Sequence, residues 1–315
     1  MKDISLALGL SVDAVSKALR DSPEISSVTK SNVRAKAEEL GYIKDNLALS
    51  LRRGETKSVA IFINDILNPY SCVFFAKIFA YLKTLGYVGH LSFFNKEVLD
   101  QEDIQEALVN RSCAIISLVE PSESAIALAA RREIPFVLIG IYSSNEKIDC
   151  VYTDDYQGGY LVGQYFLEHH YARPLYVTNS FSETSYRRFS GFSEALRQNG
   201  VSPETIPYRN GIKVEELAYE KIKATKNDFV FCFSDYLALG LRSLLKKKRD
   251  RVKPMIFGFD NVSPFYPVVD FVDSVATDVD AIVEYSVNAE ISKVNGETPY
   301  KTRIEKKFPT KLMLY

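Results

Sequence analysis

Apolar positions change their spacing near residue 58. Before it they recur at helical intervals: Ile4, Ala7 and Leu8 predict one short helix, Val15, Ala18 and Leu19 a second, and Val28, Val33, Ala37 and Leu40 a third. Beyond Lys57 the pattern becomes continuous apolar runs, of the kind found in strands buried on both faces. These are 58–63, 114–118, 136–139, 175–177, 229–232 and 255–259. Amphipathic segments lie between them at 73–85, 104–111, 123–132, 156–169, 187–198, 214–223 and 236–248. Strands alternating with helices imply parallel sheets joined by right-handed crossovers. Such a length exceeds one comfortable core, so two similar lobes are expected, with a ligand cleft at the carboxyl ends of their strands.

The first 50-odd residues carry the local signals of a helix-turn-helix. Gly9 suits the left-handed turn that ends the first helix, and Ser11 suits the N-cap of the second, its hydroxyl accepting from an amide near Ala14. Burying Val15, Ala18 and Leu19 turns Val12, Asp13, Ser16 and Lys17 outward, where a recognition helix would meet the major groove.

Charge adds little to this picture. Residues 1–58 hold 10 Lys/Arg and 8 Asp/Glu, the remainder 29 and 32, so the head is only mildly basic. Cys72, Cys113, Cys150 and Cys232 are scattered with no Cys-x-x-Cys spacing, which argues against a disulfide framework or a zinc site. The opening residues lack a basic start followed by an apolar stretch, and no 18-residue apolar window occurs; the expectation is a cytoplasmic protein with no membrane contact.

Several motifs, in order, resemble the lactose-repressor and galactose-repressor (LacI/GalR) transcription factors. In the head they are Lys2-Asp3-Ile4, Gly9-Leu10-Ser11, Val15-Ser16-Lys17 and Glu38-Glu39-Leu40-Gly41-Tyr42-Ile43. Asn46-Leu47-Ala48-Leu49-Ser50-Leu51 is similar to the family's hinge helix, whose leucines wedge into the minor groove and kink the duplex. Further along come Asn68-Pro69-Tyr70, Arg188-Phe189-Ser190-Gly191-Phe192, Asp235-Tyr236-Leu237-Ala238-Leu239-Gly240 and Gly258-Phe259-Asp260-Asn261.

The resemblance implies an α/β, two-lobed, periplasmic-binding-protein-like core with two parallel-sheet, Rossmann-like lobes, preceded by an all-α helix-turn-helix head. Its implied organisation is a DNA-binding head at 1–45, a hinge helix and linker at 46–57, and an effector-binding and dimerisation core at 58–315. The implied function is a sequence-specific transcriptional regulator, usually a repressor, of a carbohydrate-utilisation operon. It would act as a homodimer on double-stranded operator DNA under control of a sugar-like effector. A solute-binding protein, or a sugar sensor that binds no DNA, is the alternative reading.

The implied DNA contacts are Lys2, Ser11, Val12, Asp13, Ser16, Lys17, Asn46, Ala48 and Leu51. The implied effector contacts are Asn68, Tyr70, Arg188, Ser234, Asp235 and Asp260. Arg188 offers a planar fork of donors, Asp260 accepts paired hydroxyls, and Tyr70 presents a ring face. Capping of the following helix is the ordinary explanation of Asp235. The chain departs from the family in places: Ala14 stands for a usual threonine, Lys17 for arginine, Ser234 for asparagine, and Gly140 for an aspartate of many sugar-binding relatives. With no tryptophan to stack on a pyranose, an acidic sugar welcomed by Arg188 becomes an expectation to test.

No catalytic residue, metal site or cofactor is expected. His90, His169 and His170 have no supporting partners, and Gly158-Gly159-x-x-x-Gly163 lacks both the P-loop lysine and the dinucleotide fingerprint. Lys246-Lys247-Lys248-Arg249 reads as a solvated helix end, where cations meet the negative pole of the dipole.

Overall fold

The computed structural model describes residues 1–42, 57–93, 96–179, 182–206, 212–249, 252–266 and 270–315. The chain divides into two compact units, Met1–Thr56 and Lys57–Tyr315. The predicted hinge segment, with Asn46, Ala48 and Leu51, lies outside the described residues.

The first unit holds α1 (Lys2–Leu8), α2 (Val12–Leu19) and α3 (Ser27–Glu39). Gly9, at φ 62°, ends α1 in the left-handed conformation, and its amide returns to the Ser5 carbonyl. The Ser11 hydroxyl accepts from the Ala14 amide at 3.1 Å, and Ser26 does the same for Thr29 at 3.2 Å. The core of the head is Ile4, Val15, Ala18, Val33 and Ala37. Three expected inward residues are corrected: Ala7, Val28 and Leu40 are exposed. Val28 sits in the first turn of α3 on another face from Val33 and Ala37, and Leu40 is its C-cap, past the last buried turn. Ser11→Ala is expected to destabilise the head by about 1 kcal/mol, the usual loss of a cap; faster amide exchange across α2 is the measurement.

The second unit opens with β1 (Ser58–Ile63), α4 (Pro69–Thr84), β2 (Val88–Phe93), β3 (Val98–Leu99) and α5 (Gln101–Val109). It continues with β4 (Ala114–Ser117), β5 (Glu120–Pro121), α6 (Glu123–Arg131), β6 (Phe136–Ile139) and β7 (Asp149–Thr153). A second set follows: α7 (Asp155–Glu168), β8 (Pro174–Val177), α8 (Glu183–Arg197), β9 (Glu204–Thr205), α9 (Val214–Thr225), β10 (Phe229–Cys232), α10 (Asp235–Lys248), β11 (Met255–Phe259) and β12 (Asp273–Ala276). The chain ends in α11 (Val279–Val294), β13 (Glu305–Phe308) and β14 (Lys311–Met313).

Two six-stranded sheets result, ordered β13-β7-β6-β4-β1-β2 and β14-β12-β11-β10-β8-β9, with every pairing parallel except β12 with β14. Each sheet is covered on both faces, which is why β4, β6, β8 and β10 are fully buried and, apart from Ser117, apolar or aromatic. The chain crosses between the lobes near Asp154, Thr277 and Pro309, and these crossovers touch. The Asp154 amide donates to the Phe308 carbonyl at 2.8 Å, and the Thr277 hydroxyl to the Pro309 carbonyl at 3.4 Å.

Helices α7 and α8 pack closely through glycine. A methyl at Gly159 would lie 2.0 Å from the Arg188 carbonyl oxygen, and one at Gly191 1.9 Å from that of Tyr156. The Gly158-Gly159-x-x-x-Gly163 run is therefore a helix-packing surface, which explains glycine there without a phosphate.

Candidate functional site

The site lies where the carboxyl ends of both sheets face one another. From the first lobe, Asn68 caps α4, its side chain accepting from the Tyr70 amide at 3.1 Å. This aims Tyr70 at Gly140, whose φ of 80° only glycine adopts readily; a methyl there would lie 2.5 Å from the Tyr70 hydroxyl oxygen. The phenol thus fills the space that a side chain at 140 would take. Tyr70 packs at a tilt against Phe74, with ring centroids 4.7 Å apart.

From the second lobe comes Arg188, on α8 and 4% exposed. Its Nε donates to Asp155 Oδ1 at 2.8 Å, Nη1 to the Phe233 carbonyl at 2.6 Å, and Nη2 to Asp260 Oδ1 at 3.2 Å. The guanidinium also stacks on the rings of Phe259 and Phe233, 3.6 and 4.7 Å from their centroids. The arginine is therefore no open fork. An acidic effector would have to compete with Asp155 or Asp260 for it, which favours a neutral one.

Asp260 follows β11 in a left-handed conformation, φ 98°, with Asn261 at 51°. Non-glycine backbone of that kind is strained and persists where its surroundings over-determine it. The bracing comes from Asp235, fully buried at the start of α10, whose Oδ1 accepts from the Ser274 hydroxyl at 2.6 Å and Oδ2 from the Val262 amide at 2.8 Å. Asp235 thus has one oxygen occupied by β12 and the other by the loop beneath Asp260. The cap expected of it is provided instead by Ser234, which accepts from the Leu237 amide at 3.4 Å.

Burial pushes the Asp260 carboxyl up to about 7, with Arg188 pulling it down and Asp155 adding to the rise. Burial likewise raises Asp155 and Asp235. A raised carboxyl keeps its proton in the folded state after the unfolded state has lost it, so stability falls as pH climbs from the ordinary carboxylate range through about 7. Carbon-13 NMR of the Asp side chains is expected to find one titrating near 7, and its disappearance in Asp260→Asn.

Sequence reasoning missed Asp155, Phe233 and Phe259. Asp155 carried a legible signal, an acid in the first turn of a helix directly after a buried strand; the two rings read as ordinary core.

In the head, Lys2, Ser11, Val12 and Asp13 are exposed, and Ser16 and Lys17 are half-buried. Lys17 pairs with Glu24 at 2.7 Å and with Asp13 at 3.4 Å. Among the described residues no group of three or more His, Cys, Asp or Glu is placed to hold a metal, and no helix is long and apolar enough to cross a membrane.

A two-lobed α/β unit with a buried polar cluster of Arg188, Asp155 and Asp260 near Tyr70, joined to a three-helix head, has the make-up of a ligand-binding unit with a helix-turn-helix module. Residues 94–310 match the family described as periplasmic binding proteins and sugar binding domain of LacI family, and the chain belongs to that family. It is 25% identical over 279 residues to the HTH-type transcriptional repressor PurR of Pasteurella multocida, covering 84% of each chain. Its fold is similar to that of the Lac repressor dimer bound to operator and the anti-inducer ONPF, with TM-score 0.80, 16% identity, and 99% and 96% of the two chains covered. It is also similar to a LacI family transcriptional regulator from Enterococcus faecium with bound ribose, with TM-score 0.71, 21% identity, and 82% and 97% covered.

Proposed function

We propose that the protein is a sequence-specific DNA-binding transcriptional regulator, a repressor of a carbohydrate-utilisation operon, whose hold on its operator is set by a sugar-like effector between the lobes. The observation that carries this reading is the coexistence in one chain of a Ser11-capped helix-turn-helix and a buried Arg188–Asp260 pair beside Tyr70. In this reading it works in the cytoplasm as a homodimer, two heads meeting the half-sites of a near-palindrome. Lys2, Ser11, Val12, Asp13, Ser16 and Lys17 meet the major groove, and Asn46, Ala48 and Leu51 the minor groove. The proposed organisation is a head at 1–45, a hinge at 46–57 and a core at 58–315.

The effector we propose is neutral and rich in hydroxyls. Asp260 accepts from them, Arg188 donates its remaining N–H groups, and the Tyr70 hydroxyl, Asn68 and Ser234 complete the polar rim; Asp235 acts as a positioning residue behind Asp260. Relatives named as repressors and a relative with bound ribose support regulation rather than catalysis.

Leu51→Ala tests the hinge part of the proposal. Because an intercalating wedge exchanges a few kcal/mol of unstacking for added contact, operator affinity is expected to fall on the order of tenfold or more. Sugar affinity should stay the same. Unchanged affinity for a duplex from the upstream region of the protein's own gene would contradict the wedge.

A further inference from the structure

One stripe of α11 is buried: Val279, Ile282, Val283, Ser286, Val287, Glu290 and Ile291. Two of these are polar. The Ser286 hydroxyl is satisfied within the helix, donating to the Ile282 carbonyl at 2.7 Å. Glu290 has no such outlet. It is 0% exposed, and neither carboxyl oxygen meets an N–H or O–H donor among the described residues.

What it meets is a second carboxyl group. Asp149, the first residue of β7 and 2% exposed, stands within hydrogen-bonding reach of Glu290. Asp149 has partners of its own: it pairs with the buried Lys293, three residues beyond Glu290 on α11, and its Oδ1 accepts from the Ile304 amide at 2.9 Å. Two facing carboxylates with one ammonium, all out of water, is an arrangement that proteins relieve by neutralising a group. A proton on Glu290 gives the missing donor, its O–H donating to Asp149. Burial first and Asp149 second favour that neutral form, against the pull of Lys293.

We propose that Glu290 keeps its proton and donates it in a hydrogen bond to Asp149, and that this proton locks the start of β13. Strands β7 and β13 pair in parallel from Cys150 with Glu305 to Thr153 with Phe308. The Asp149–Ile304 contact begins this ladder. The crossovers at Asp154 and Pro309 end it, about 17 Å away at the usual rise of a strand. When the proton leaves, Asp149 faces a second anion across one lysine, and the anchor of β13 weakens at the end opposite the hinge.

Among the described residues no second cation pairs with Glu290. β4 and β6 carry no ionisable side chain. On β7 the Cys150 thiol turns to the Ser143 carbonyl at 3.6 Å. Tyr300, beyond α11, is raised by burial and by Glu133, Glu290 and Asp149. Arg303 donates to the Ser143 carbonyl at 2.6 Å and pairs with Glu305 at 2.9 Å. On α4, Lys77 pairs with Asp280 at the far end of α11, at 2.5 Å.

Glu290 in the folded state holds a proton that the unfolded chain releases, so its share of stability is complete below the ordinary glutamate range and is lost as pH rises through the raised value. Urea unfolding of the full-length protein at stepped pH reads this. One proton's share changes the folding constant by up to about tenfold per pH unit, and protection of the Ile304 amide should fall with it. Glu290→Gln, which donates to Asp149 without ionising, is expected to remove that share and leave the part due to Asp260. Glu290→Leu should remove it too. In the wild type, carbon-13 NMR of selectively labelled glutamate should find a protonated side chain at neutral pH, absent in Glu290→Gln. An ionised Glu290 at neutral pH, or a full wild-type slope in Glu290→Gln, would overturn the proposal.

Discussion

Arg188→Ala is expected to destabilise the two-lobed unit by about 3–5 kcal/mol, the range for removing one partner of a buried ion pair. The reason is the charges left behind. Asp155 and Asp260 both lose their cation in a dry site, and the Phe233 carbonyl loses its donor. The rings of Phe259 and Phe233 keep their burial but lose the guanidinium stacked on them. Urea unfolding of wild type and variant measures the effect, and a difference below about 1 kcal/mol, the scale of an exposed ion pair, would show the cluster to be well hydrated. Arg188→Ala combined with Asp260→Asn should recover part of the loss, because neighbours sharing a network are not additive.

Gly191→Ala should act on the same cluster through the backbone. The added methyl would sit 1.9 Å from the Tyr156 carbonyl oxygen, which is fixed in α7 and cannot rotate away. Overpacking of this sort typically costs about 1–3 kcal/mol, and rigid backbone on both sides puts this case at the upper end. Parting α7 from α8 would also draw Asp155, at the start of one helix, away from Arg188, three residues before the substitution on the other. The melting temperature is expected to drop and sugar binding to weaken together; an unchanged melting temperature would contradict the close approach of the two helices.

Much of the fold was legible wherever periodicity was clean. The runs at 58–63, 229–232 and 255–259 read as buried strands because no polar residue interrupts them, and they coincide with β1, β10 and β11. What was missed carries polar interruptions. β2 contains Gly89 and His90, β7 begins with Asp149, and α11 places Ser286 and Glu290 in its buried stripe. His90 is exposed, Ser286 is satisfied within its own helix, and Asp149 and Glu290 are buried because tertiary partners or a proton satisfy them, which no local pattern encodes. The site was half legible for a similar reason. Arg188 and Asp260 stood out through the motifs that resemble the family, whereas the pairing of Arg188 with Asp155 joins residues 33 apart. In the same way, the exchange of a side chain at Gly140 for the Tyr70 hydroxyl depends on where α4 points, which only the fold determines.

The central claim is that occupancy of the pocket controls the hold of the head on DNA, and its most direct test is the affinity of the full-length protein for a fluorescent duplex from its own upstream region. The titration would run against random competitor at physiological salt, with and without ribose and a panel of neutral hexoses. The account predicts preferential binding of that duplex and, for at least one sugar, a change in affinity of about 5- to 150-fold, the span of ordinary allosteric coupling. Asp260→Asn should abolish the change while leaving sugar-free DNA binding intact. Binding that no sugar alters, or a protein that prefers no duplex over random competitor, would contradict it.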